Sequence, residues 1–468
     1  MAVSDFQAVI FTSTTYLFFL AAMLLAYWSL GRRNQNLLLL VGSFVFYGFV
    51  TPWFCLLLAT SIIVDFNCGK AIHRSLNGRK YLLISIGFNI SLLAVFKYCN
   101  FFIENFIELF NILGFEPSIS VLNIVLPVGI SFYTFQTLSY TIDVYRGKLK
   151  PIDDFVAFSV FVSMFPQLVA GPIERATNML PQILGQRQID REDISRGVYL
   201  IFRGFVKKLV VADNVAIYVD KIFLLETANP LMIAVGSVGF GIQIYADFSA
   251  YTDIARGSAR LFGFRLMENF RSPYLACSPS DFWRRWHISL SSWMRDYLYI
   301  PLRGSKTDSR RRLLAVLVVT MGLSGLWHGA AWNFVLWGLY HGLLLVIYHG
   351  LGFSGNVQPR TFPGRILAIS IMFILTMAGW ALFRTPSVEW LYQSLFGVDS
   401  IITTDSINSA VYFCALFAIF SLPLYLYKLP IYKIRYESAW ILSCILVPLL
   451  LIVIFHQDNS DAFIYFQF

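Results

Sequence analysis

The chain has 468 residues, 57% of them hydrophobic and only 13% charged, with a formal net charge of +9. A soluble domain carries about 25% charged residues, so a large water-soluble protein with an oily core is excluded as the working description. The composition is that of a chain that lives in a bilayer, and nucleic acid is not expected as a partner.

Ala8–Leu30, Asn36–Phe49 and Ala439–Phe455 are uncharged over 14 to 23 residues, close to the length that crosses a bilayer core. Backbone hydrogen bonding in lipid makes helices the expected spans. The first run is not expected to be a cleaved signal, because no Lys or Arg precedes it and its apolar stretch is too long. Arg32 and Arg33 follow it, which places that end in the cytoplasm and Met1 outside. Leu37–Asp65 is interrupted by Thr51-Pro52-Trp53, the mark of an out-and-back helical pair returning to the basic stretch Lys70–Lys80. Further apolar segments read at Tyr81–Phe96, Phe101–Leu113, Ile124–Tyr145, Phe155–Ala170, Leu231–Tyr245, Leu313–Trp327, Ala330–Tyr348, Ile366–Phe383 and Ala410–Tyr427. Val198–Phe223 is mixed, since it carries Arg203, Lys207, Lys208, Asp213 and Asp220. The expectation is an all-α polytopic membrane protein, one domain over 1–468, with roughly ten to twelve transmembrane or re-entrant helices.

The six cysteines are scattered, with no Cys-x-x-Cys pair, and suggest buried small hydrophobes rather than disulfides or a metal site. In YADFSAYTDIARGSARLFGF (Tyr245–Phe264), Asp253 and Arg256 are spaced for a local ion pair if the segment is helical. Asp247 lies nearer the apolar run. A carboxylate inside a membrane is a site candidate by default, and a structural partner to one of the arginines is the competing reading.

Between Arg256 and Arg312 the pattern changes. This segment holds eleven Arg and one Lys against four acidic residues, and so eight of the nine excess positive charges. A cytoplasmic loop touching anionic lipid explains that, and a site for a polyanionic cofactor explains it equally, since Arg pairs bidentately with phosphate. Within it, Phe282, Trp286, Leu290, Trp293, Tyr297 and Ile300 recur at three or four residues, one face of a helix, with Arg284, Arg285 and Arg295 elsewhere. The spacing predicts an interfacial helix over Phe282–Leu302, with His287 near the boundary of its faces.

GLSGLWHGAAWNFVLWGLYHG (Gly322–Gly342) raises a different question. His328 stands there with no Lys, Arg, Asp or Glu nearer than Arg312 or Arg360. Leu313–Gly350 would be about 57 Å long as one helix, more than a core of about 30 Å. It must bend or divide, and Gly322, Gly325 and Gly329 mark the break. Desolvation disfavours the imidazolium, so His328 is expected to be neutral and able to accept a proton. A packing histidine, bonded to a carbonyl across a helix interface, is the plainer reading. His341 lies 13 residues on and does not share its site unless the chain folds back. Asn333 is a second polar group in the run. No His-x-x-x-His or nearby carboxylate supports a metal, and no Gly-x-Ser-x-Gly elbow supports a serine hydrolase.

Six blocks together resemble the membrane-bound O-acyltransferases (MBOAT), and among them the bacterial branch that O-acetylates exported polysaccharides such as alginate. They are LPVGISFYTFQTLSYTIDVYRG (Leu126–Gly147), FPQLVAGPIER (Phe165–Arg175), Gln243–Ala276, DFWRRWHISLSSWMRDYLYIPL (Asp281–Leu302), GLWHGAAWNFVLWGLYHG (Gly325–Gly342) and FIYFQF (Phe463–Phe468). Departures at Ala250 and Arg256 leave both histidines untouched. The resemblance implies helices around a central funnel or tunnel, with cytoplasmic interfacial helices. It implies His328 as catalytic base and His287 as the second catalytic histidine. Asp247, Trp286, Trp327 and Asn333 become tunnel-lining candidates, and Arg284, Arg285 and Arg295 candidates for the donor's phosphates. Acetyl-CoA is the implied donor, a substrate rather than a resident cofactor, and membrane lipids surround the chain. The acceptor is a polysaccharide beyond a bacterial inner membrane, reached through a separate extracytoplasmic SGNH-type transferase, since the chain contains no such domain. Three alternatives stand beside it: a D-alanyl-transferring MBOAT of teichoic acid modification, a lipid acyltransferase, and a non-catalytic acyl or polymer transporter.

Overall fold

The structure is a computed structural model that describes residues 11–49, 51–122, 124–168, 171–304, 310–353, 359, 361–397 and 400–426. The apolar run at 439–455, Cys444 and the FIYFQF block lie outside the described residues. Every regular element among the described residues is helical. They form two compact units, the first holding the described residues up to Gln188 with Phe262–Leu266 and Gly329–Ala331, the second holding the rest.

The first unit contains α1 (Thr14–Trp28), α2 (Arg32–Gly48), α3 (Phe54–Arg74), α4 (Gly78–Leu93), α5 (Cys99–Ile112), α6 (Ile130–Tyr145), α7 (Phe155–Ser163), α8 (Phe165–Leu168) and α9 (Ala176–Leu184). Ser13, Asn77 and Asp154 cap α1, α4 and α7, each accepting from a backbone N–H three residues on. Thr51-Pro52-Trp53 separates α2 from α3 as the sequence predicts. The interior of this unit is not wholly apolar. Asp65 of α3 accepts from Ser85 Oγ (2.6 Å) and Asn89 Nδ2 (2.8 Å) of α4, and Thr137 of α6 donates to Asn89 Oδ1 (3.2 Å). All four residues are fully buried.

The second unit contains α10 (Arg191–Phe205), α11 (Asp213–Phe223), α12 (Pro230–Leu261), α13 (Pro279–Trp283), α14 (Ile288–Trp293), α15 (Ile300–Arg303), α16 (Arg310–His328), α17 (Trp332–Gly350), α18 (Phe362–Arg384), α19 (Val388–Phe396) and α20 (Thr404–Leu426). The 32-residue α12 packs against α10, α11, α18 and α20.

Three elements differ from the sequence reading. The apolar prediction stops at Tyr245, yet α12 runs on to Leu261 because cations from the mixed segment meet its acids. Arg203 Nε and Lys207 Nζ lie 2.8 and 2.6 Å from Asp253, closer than its own-helix partner Arg256 at 3.9 Å. The predicted interfacial helix over Phe282–Leu302 is not continuous: it breaks between α13 and α14, then passes through a wider π-turn at Met294–Tyr299. Phe282, Trp286, Leu290 and Trp293 of its apolar face are buried rather than laid on a surface. Third, α16 and α17 divide only at Gly329–Ala331; Gly322 and Gly325 are helical.

By length and apolarity, five helical stretches among the described residues suffice to cross a membrane: Phe54–Arg74, Gly78–Ile112, Pro230–Leu261, Phe362–Arg384 and Thr404–Tyr425. The segment read at Ile124–Tyr145 is irregular before α6, and Phe155–Ala170 is split at Met164, just before Pro166.

Candidate active site

The break after α13 sets His287. Asn269 holds it open: its carbonyl accepts from Ile288 N (3.0 Å) and its Oδ1 from Ser289 N (3.1 Å). His287 takes the left-handed conformation at φ 41°, and Ser272 is the one other non-glycine residue with positive φ among the described residues. That region costs a side-chain-bearing residue on the order of 1 kcal/mol or more, so the surrounding bonds must over-determine the turn. The imidazole is fully buried, edge-on to Phe248 at 4.6 Å, with Ser289 Oγ 3.5 Å from Nδ1. Burial pushes its pKa down to about 3, so it is neutral at physiological pH. It is not at the edge of an amphipathic surface, as the helical reading placed it.

His328 ends α16. After the turn, α17 returns antiparallel, and glycines let the two backbones touch: a Cβ at Gly325 would lie 2.1 Å from the Phe334 carbonyl oxygen, and one at Gly338 2.3 Å from that of Met321. The His328 ring is 3% exposed and meets the edges of Trp327, Trp337 and Phe383 at 5.0, 5.1 and 5.6 Å between centroids. Trp327 also contacts the His287 ring at 6.3 Å. One indole therefore joins the two histidines that the sequence nominates. Because the chain folds back, His341 reaches the same neighbourhood, 5.0 Å from Trp337; the linear spacing had separated it from His328.

Beside this cluster lies a cavity of about 370 Å³, within the usual range for ligand sites. Ile288, Leu290, Leu317 and Met321 make its body apolar, while Arg284, Arg295, Ser291 and Ser324 give it polar points. Ser324 sits one helical turn before His328, whose own ring is not part of the lining. Of the three arginines nominated for phosphates, Arg284 and Arg295 line the cavity. Arg285 turns instead to Asp281 (2.9 Å), and Arg295 is also paired with Asp296 (2.8 Å).

The other nominated residues are spread more widely. Trp286 packs among Phe270, Phe282 and Trp380 at 5.0, 5.7 and 4.9 Å. Asn333 donates to the carbonyls of Phe383 and Thr385, both at 3.3 Å, and so caps the end of α18. Asp247 is buried 3.1 Å from Lys208, a lysine rather than one of the neighbouring arginines, and Lys208 also meets Asp213 at 2.7 Å. Sequence reasoning did not nominate Asn269, Trp337 or Phe383. Nothing local marks them, since each matters through contacts with residues 9 to 55 positions away.

Comparison with known proteins places the chain in a family. The model of MBOAT, the membrane-bound O-acyltransferase family, matches residues 151–377, a span that includes both histidines. The probable alginate O-acetylase AlgI of Pseudomonas aeruginosa is 38% identical over 395 residues, 83% of this chain and 75% of that protein. The chain belongs to the membrane-bound O-acyltransferase family. The peptidoglycan O-acetyltransferase of Helicobacter pylori is 33% identical, covering 83% of this chain and 79% of its own length. The teichoic acid D-alanyltransferase of Bacillus subtilis is 28% identical over 56% of this chain. As an MBOAT protein the chain is an O-acyltransferase and a multi-pass, all-helical membrane protein.

Proposed function

We propose that this MBOAT protein takes an acetyl group from cytoplasmic acetyl-CoA and moves it across a bacterial inner membrane. There a separate extracytoplasmic transferase completes O-acetylation of a polysaccharide. The acetyl group and the class of acceptor rest on the relatives, an alginate O-acetylase and a peptidoglycan O-acetyltransferase. The single observation that carries the chemistry is the pairing of His328 and His287 through Trp327 beside a mostly apolar cavity with arginines in its lining.

In this reading His328 removes the proton from an incoming hydroxyl. The oxygen forms its bond to the thioester carbonyl carbon, the C–S bond breaks, and the proton held on His328 passes to the departing thiolate. The cavity suits the narrow arm of the donor, with Arg284 and Arg295 available to its phosphates. To meet His328, the thioester travels one turn of α16 beyond Ser324, roughly 6 Å. The apolar walls keep water from the thioester. His287, neutral and rigidly placed, orients a reactant through its ring nitrogens.

The test supplies purified protein in lipid with radiolabelled acetyl-CoA and an oligosaccharide or the extracytoplasmic transferase as acceptor. His328→Ala is expected to lose transfer at least about hundredfold while inserting and melting as wild type does. Retention of transfer by His328→Ala overturns the assignment of the base.

A further inference from the structure

A second cavity, of about 180 Å³, lies in the same unit and shares no lining residue with the first. It is charged rather than apolar. Arg203, Lys207, Arg256 and Arg271 face it together with Asp253 and Glu268. Asp253 is shared by three of the cations: Arg203 Nε at 2.8 Å, Lys207 Nζ at 2.6 Å and Arg256 at 3.9 Å. Glu268 serves Arg271 at 2.8 Å. Four cations against two carboxylates leave two positive charges uncompensated among the groups facing this space. The Lys207, Arg203 and Arg256 side chains are 10%, 24% and 19% exposed, so water screens that excess poorly, and desolvated charge without a counter-charge is costly. Arg271, 68% exposed, stands at the mouth. Thr252 and Asn269 add polar groups to the wall.

We infer that this cavity is a phosphate-binding subsite, taking a group of about two negative charges such as a phosphate monoester or a diphosphate. Two sources carry that chemistry: the nucleotide end of the acyl donor, which rests on the donor reading above, and the headgroup of an anionic phospholipid. The wall ties the subsite to the chemistry. Asn269, which lines it, is the residue whose two bonds hold the His287 turn. Ile288, next in the chain, lines the other cavity.

The experiment uses the full chain in nanodiscs of phosphatidylcholine, with or without phosphatidylglycerol, and unacylated CoA as the soluble probe. Arg271→Gln and the double variant Arg256→Gln/Arg271→Gln are compared with wild type. Arg271 is exposed and its ion pair with Glu268 is to a near neighbour, so its variant folds even if the double variant does not. If the donor is the source, Arg271→Gln weakens CoA binding about tenfold and raises KM for acetyl-CoA with kcat kept. Acetyl-pantetheine, which lacks the nucleotide phosphates, is then used equally by variant and wild type. Glu268→Gln, which removes a competing carboxylate, binds CoA more tightly. If wild type does not bind CoA but is stabilised by phosphatidylglycerol in a way Arg271→Gln is not, the subsite holds a lipid headgroup and the donor reading fails. If the variants match wild type towards both probes, the phosphate subsite is overturned, whether or not wild type binds CoA.

Discussion

Gly325→Ala tests how His328 is held. A Cβ there falls 2.1 Å from the Phe334 carbonyl oxygen and 3.1 Å from backbone atoms of Gly338. Neither obstacle is a flexible side chain, so α16 and α17 must separate by roughly 1 Å, an overpacking that costs about 1–3 kcal/mol. His328 is one turn further along α16, and a displacement of about 1 Å at reacting groups costs about hundredfold in rate. Gly322→Ala is the matched control in the same helix. Its Cβ meets only the Leu339 side chain at 3.2 Å, and alanine gains about 1 kcal/mol of helix propensity over glycine. Both variants are reconstituted in lipid and compared by thermal melting and by transfer of labelled acetyl from acetyl-CoA. Gly322→Ala is expected to stay within a few-fold of wild type, and Gly325→Ala to melt lower and lose about two orders of magnitude in kcat. Equal stability and activity in the two would refute the backbone-contact account of the hairpin.

Two further outcomes follow from buried charge. The His287 pKa is depressed to about 3 in the folded protein, against about 6.5 when unfolded. Acid therefore favours the unfolded state: stability is fully present above about pH 6.5 and declines as pH falls towards 3, by up to about 1.4 kcal/mol per pH unit. Melting temperature measured from pH 7 to 5 should fall less steeply in His287→Gln than in wild type; parallel curves would remove His287 as the cause. Asp253→Asn leaves Arg203 and Lys207 sharing a neutral amide. A loss of about 3–5 kcal/mol is expected, read as a lowered melting temperature and a reduced yield of folded protein, whereas wild-type melting would show that the carboxylate is not what neutralises them.

What was legible in the chain depended on range. The helical class, the break at Thr51-Pro52-Trp53 and the two histidines could be read because hydropathy, proline and motif are local signals. The course of α12 past Tyr245 could not, since Asp247 is met there by Lys208 and Asp253 by Arg203 and Lys207, 39 to 50 residues earlier. The same holds for the turn at His287. Its aromatic period, Phe282 to Ile300, is helical in spacing, but Asn269 competes for the backbone N–H groups of Ile288 and Ser289 and wins. His341 was separated from His328 by counting along one rod, and the hairpin cancels that distance.

The polar stack of the first unit bears on how the chain is built. A lone aspartate at mid-bilayer costs a nascent helix about 2.5–3.5 kcal/mol at insertion. The oxygens of Asp65 find their donors on α4, only three residues downstream of the end of α3. Handed to the membrane together, the two helices arrive with that carboxylate already satisfied, so biogenesis favours their entry as a pair over entry one at a time.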